Sequence, residues 1–154
     1  MKKKFVIINI ILVLVFIITI LQELHVVHYN RGNDFYNKSQ FEEAIKEYNK
    51  ALKLFPPKHK ECHIRINLAL SILQKVKNYD IKKDKNSILD ILNNAEEVLF
   101  VDGCAHRNDN KGHSIEAEQL KNDIENMKKQ LKEQSGDSEE RRRGRKARRR
   151  KGWK

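Results

Sequence analysis

The chain has 154 residues and a net charge of +11, yet ten of its 32 Lys and Arg fall in the last fourteen residues, leaving 22 basic against 21 acidic side chains before them. The basic character therefore belongs to a tail and not to a folded surface. Six glycines, two prolines and no strand-like alternation exclude a sheet fold, and once the distinctive ends are set aside about 105 residues remain for one all-α domain.

Residues 1–4 form a basic flank with Lys2, Lys3 and Lys4, and residues 5–21 follow with only Asn9 and Thr19 polar. At 1.5 Å per residue that run measures roughly 26 Å, near the lower limit for crossing a bilayer. The next residues, QELHVVHY, offer no small-residue cleavage pair and continue a helical pattern. The run reads as an uncleaved transmembrane signal-anchor. Lysines ahead of the span hold the N-terminus in the cytoplasm, which places the remainder on the extracytoplasmic side of the cell membrane as a single-pass protein.

Residues 28–57 carry Gly32 and Phe35, then Ala44, Tyr48 and Ala51, and close on Pro56. Gly32 and Ala44 lack bulk and let two helices approach; Phe35 and Tyr48 fill the space beside them, and Pro56 ends the second helix. These residues resemble the tetratricopeptide repeat, in which a G-x2-Y helix is followed by an A-x3-F helix, a further Ala and a Pro. His28 stands where Trp is usual and Arg31 where Leu is usual, which predicts loose packing or lipid contact at that end. A second, degenerate copy follows: Leu68, Ala69 and Ile72, then Ile88, Leu92 and Ala95, separated by a stretched polar loop, with Ser87 as the expected N-cap of the later helix. The repeat-like domain spans residues 28–104.

Residues 114–133 place Ala117, Leu120, Ile124, Met127 and Leu131 on a narrow apolar stripe of a charged helix. Such a helix closes a repeat stack, or pairs with a second copy as a coiled coil. The preceding loop brushes a calcium-binding pattern through Asp109, Gly112 and Glu118, but Arg107 and Lys111 occupy slots that need oxygen, so the loop reads as solvated.

The resemblance implies a concave groove lined by Asn33, Tyr36, Asn67, Leu70 and Gln74. Asn33 and Asn67 match two amide positions of the carboxylate-clamp subtype, but Tyr29 fills its Lys slot. In the implied second hairpin, Cys62 at the start of one helix and Cys104 past the end of the other lie at one end. A disulfide between them suits an oxidising compartment and stabilises the fold by about 4 kcal/mol. A metal site from Cys62, His63, Cys104, His106 and His113 lacks the usual ligand spacing, and no catalytic constellation or cofactor motif is present, so no enzyme is read here.

Residues 134–154 are expected to form a disordered basic tail. Its cations are Arg141, Arg142, Arg143, Arg145, Lys146, Arg148, Arg149, Arg150 and Lys151, with Trp153 near the end. Outside the cell this tail suits anionic lipid or wall polymer; in the cytoplasm it suits nucleic acid. The chain as a whole resembles small membrane-anchored bacterial tetratricopeptide proteins found beside von Willebrand factor A-type membrane proteins. That resemblance implies a scaffold holding a protein partner, itself a membrane protein, at the extracytoplasmic face. The alternative is a membrane-tethered nucleic-acid or anionic-polymer binder acting through the tail.

Overall fold

The structure, a computed structural model, describes residues 2–81 and 83–151, with side chains placed over 4–20, 23–81 and 83–134. Five α-helices follow one another: α1 (Lys2–Asn37), α2 (Phe41–Leu52), α3 (Lys58–Leu73), α4 (Lys85–Phe100) and α5 (Ile115–Lys151), with short 3-10 turns at Gln74–Asn78 and Val101–Gly103. Strands are absent among the described residues.

The apolar run and the first helix of the repeat are one continuous rod. Helix α1 is long and apolar enough to cross a membrane, and none of its apolar window is buried against the rest of the chain. Its two polar side chains bond to their own backbone, Asn9 Nδ2 to the Phe5 carbonyl at 2.9 Å and Thr19 Oγ1 to the Phe16 carbonyl at 2.8 Å. The Thr19 hydroxyl proton and one Asn9 N–H are thereby satisfied without water, which lowers the cost of placing them in an apolar surrounding.

From His25 onward α1 packs against α2 as an antiparallel hairpin. Tyr48, buried to 1% exposure, lies directly over Gly32. A Cβ added at Gly32 would stand 2.5 Å from the Tyr48 ring, so the glycine is required by contact and not by backbone angle. Ala44 and Ala51 complete this face with no exposure, and Ile64 and Leu68 of α3 close the first core. Gly32→Val is expected to cost about 1–3 kcal/mol of stability by overpacking, and Tyr48→Leu to recover part of that loss in a double-mutant cycle read by urea denaturation.

The second core lies between α3, α4 and α5. Ile88, Leu92, Ala95 and Leu99 form the buried face of α4, meeting Ala69 on one side and Ala117, Ile124 and Leu131 of α5 on the other. Lys128 reaches from α5 to Glu96 of α4 at 2.7 Å. Met127, assigned to the apolar stripe by spacing, is 41% exposed. The stripe is therefore interrupted at Met127 and resumes one turn later at Leu131, which is buried.

Two expected boundaries differ. Helix α4 starts at Lys85 with Asp84, not Ser87, at its N-cap, because the Asp84 carboxylate turns back to accept the Asp80 amide at 2.9 Å and closes the loop one turn earlier. At the other end, the tail expected to be disordered over 134–154 is helical through Lys151, continuous with the cap helix. Arg, Lys, Glu and Ala are strong helix formers, and from Glu139 to Lys151 only Gly144 interrupts them. Side chains of the tail arginines and lysines are not among those placed, and Trp153 lies outside the described residues.

Candidate functional site

A cavity of about 290 Å³ opens between α1 and α3, lined by Asn33, Tyr36, Asn37, Tyr48, Asn67 and Leu70. Four of the five residues expected in the groove line it, and the fifth, Gln74, forms its edge by donating from Nε2 to the Tyr36 hydroxyl at 3.2 Å. The Gln74 carbonyl oxygen is buried there without a hydrogen-bond partner among the described residues.

The amides are wired to one another. Asn33 Oδ1 accepts both the Tyr48 hydroxyl at 2.8 Å and Asn67 Nδ2 at 3.0 Å, while Asn67 Nδ2 also reaches the Tyr29 hydroxyl at 3.1 Å. Tyr29 thus holds an amide in place where the clamp subtype has a cation. Burial pushes the Tyr48 hydroxyl upward in pKa, with Tyr29 and Tyr36 adding to it, so it stays a donor at any physiological pH. This network fixes the two asparagines through the Asn33 oxygen and the Asn67 nitrogen. None of the six lining residues is charged. Such a surface suits a peptide backbone better than an acidic C-terminus.

The departures at His28 and Arg31 have a structural cause that spacing did not reveal. Both face Glu47 of α2, which is 4% exposed: His28 Nδ1 lies 2.7 Å and Arg31 Nε 3.9 Å from its Oε2, and Lys50 Nζ lies 2.6 Å from Oε1. Burial alone would raise the Glu47 carboxyl; the bonds from Lys50 and His28 and the Arg31 charge outweigh it and hold the group below its ordinary value. The end expected to be loose is therefore tied by a polar cluster around the buried Glu47.

At the same end of the second hairpin Cys62 and Cys104 are joined by a disulfide with Cα atoms 5.4 Å apart. Beyond it, the loop between α4 and α5 is not merely solvated. Lys121 of α5, 3% exposed, sends its ammonium into the loop, where Nζ lies 2.9 Å from the His106 carbonyl, 2.8 Å from the Asp109 carbonyl, 3.0 Å from Asn110 Oδ1 and 2.7 Å from Glu118 Oε2. Glu118 Oε1 in turn accepts the His106 and Gly112 amides at 2.8 and 2.7 Å. The faint calcium-like spacing thus has a physical counterpart: oxygens converge on a cation, and the cation is a lysine. Ser114 caps α5, its Oγ accepting the Ala117 amide at 3.2 Å. The only sequence signals for this arrangement were the i, i+3 spacing of Glu118 and Lys121 and the glycine at 112, where a Cβ would meet the Cys104 carbonyl at 2.4 Å.

Comparison with known proteins returns no similar curated protein and no similar solved structure for this chain. Residues 25–57, the α1–α2 hairpin that forms one wall of the groove, match the family model of the tetratricopeptide repeat, a protein-interaction scaffold.

Proposed function

We propose that this protein is a membrane-anchored tetratricopeptide scaffold: α1 holds it in the cell membrane with the N-terminus cytoplasmic, and the helical domain presents its groove to a protein partner, itself a membrane protein, on the extracytoplasmic side. The observation that carries this reading is the continuity of α1, in which the unburied apolar run and the groove-bearing repeat helix form one rod. Asn33 stands twelve residues past the end of the apolar run, so the groove is held about 18 Å above it. A partner is captured close to the bilayer, in an uncharged groove whose amide and hydroxyl side chains can hydrogen-bond an extended peptide backbone. The disulfide supports an oxidising compartment.

The rival reading is a cytoplasm-facing tether working through its ten terminal cations. Gly152→Cys separates the two, since both native cysteines are bonded to each other. Intact cells treated with a membrane-impermeant maleimide are expected to label this variant; labelling only after permeabilisation would turn the domain inward and favour the tether.

A further inference from the structure

The turn between α2 and α3 has an unusual construction. Phe55 is 93% exposed and holds a positive φ of 51°, a left-handed conformation that a bulky residue adopts at a cost and a glycine without one. Hydrogen bonds donated by the Leu54 amide to the Ala51 carbonyl and by the Phe55 amide to the Leu52 carbonyl close the turn, and Pro56 behind it is buried. The ring is therefore directed away from the domain while its neighbour anchors the loop.

Its height along α1 follows from the antiparallel hairpin. Tyr36 touches Phe41, Tyr29 touches Tyr48, and His28 meets Glu47, so each step forward on α2 matches a step back on α1. Continued past Leu52, this register brings Phe55 level with about residue 22, where the apolar run of 5–21 ends. The Arg65–Asp102 ion pair and the disulfide put the loop after α4 at this same end, where Val101 and Ile115 are also exposed, at 46% and 75%.

The charges agree with the height. Lys53, Lys58 and Lys60 flank Phe55 within five residues. Lys53 and Lys60 make no ion pair among the described residues, and Lys58 feels Asp102 only through space. The carboxylates nearby are engaged: Glu61 and Asp102 bind Arg65, and Glu116 accepts the Ser114 hydroxyl. An aromatic ring between uncommitted lysines suits the boundary where acyl chains meet headgroup phosphates.

We propose that this end of the domain rests on the bilayer that α1 spans, with the Phe55 ring inserted at the headgroup–acyl boundary and Lys53, Lys58 and Lys60 on lipid phosphates. The surface rests on the anchor reading above and adds a second, independent contact, which fixes the tilt of the domain and aims the groove.

The test uses the full chain in phosphatidylcholine–phosphatidylglycerol vesicles, with Trp153→Phe as background and a single reporter from Phe55→Trp or, at the opposite end, Tyr79→Trp. The reporter at 55 is expected to emit at shorter wavelength and to be quenched by lipids brominated on the acyl chain, while the one at 79 is quenched by aqueous iodide instead. Adding Lys53→Glu, Lys58→Glu and Lys60→Glu is expected to abolish the lipid quenching at 55. Protein that floats with the vesicles but shows equal iodide quenching at both positions overturns this surface and leaves the anchor standing. Protein that does not float overturns the anchor reading and this surface with it. Lipid quenching that survives the three glutamates removes the lysines from the proposal.

Discussion

Lys121→Met is expected to destabilise the domain by about 3–5 kcal/mol, the cost of leaving a buried carboxylate without its cation. The lysine ammonium is the centre of the loop between α4 and α5, and its four oxygen neighbours come from three loop residues and from Glu118. Without it the two carbonyls and the Glu118 carboxylate face one another with no positive charge between them. Unfolding followed by far-UV circular dichroism measures the loss. A change under about 1 kcal/mol would mean that water or a bound ion replaces the ammonium at little cost.

The same site predicts the response to acid. Burial raises the Glu118 carboxyl, but Lys121 and the His106 and Gly112 amides outweigh it, so the folded value lies below the ordinary 4.5. A depressed carboxylate contributes its stability fully above that ordinary value and loses it as pH falls through the lower, folded one. Wild-type protein is therefore expected to weaken below pH 4.5, and Glu118→Gln to start less stable at neutral pH and show a flatter acid limb.

Breaking the Cys62–Cys104 bond is the second large effect. The bond closes a loop of 42 residues in sequence, for which chain entropy gives about 4 kcal/mol. For a domain of this size that corresponds to a fall in thermal midpoint of roughly 15 °C or more. Cys62→Ala with Cys104→Ala, or reductant added to the native chain, should give the same loss within error, since both half-cystines are buried and small. If reductant lowers the midpoint and the alanine pair does not, the effect belongs to the exposed thiols and not to the cross-link. The bond also ties the start of α3, the helix that carries Asn67 and Leu70, to the loop that Lys121 organises.

These two features bear on the proposed scaffold role. The groove residues are pre-ordered by their own hydrogen bonds, so under that proposal a bound peptide does not have to fix them. The cap helix, the disulfide and the Lys121 loop all stiffen the second hairpin, which lies outside the matched residues 25–57. A two-hairpin array with a small core gains more from such ties than a long one.

What the linear chain determined is what short-range spacing encodes. The unbroken apolar run, the small residues at 32, 44, 51, 69 and 95, and the proline at 56 each act on the helix they sit in or on its immediate neighbour, so periodicity alone exposes them. Tertiary structure alone decided the polar chemistry. Glu47 satisfies His28 and Arg31 across a hairpin, Asn67 meets Asn33 from another helix, and Lys121 fills a loop it enters from the following helix. Such contacts depend on which distant oxygens and nitrogens converge in three dimensions. A polar side chain carries no mark of its partner until the apolar faces have packed and set the distance between them.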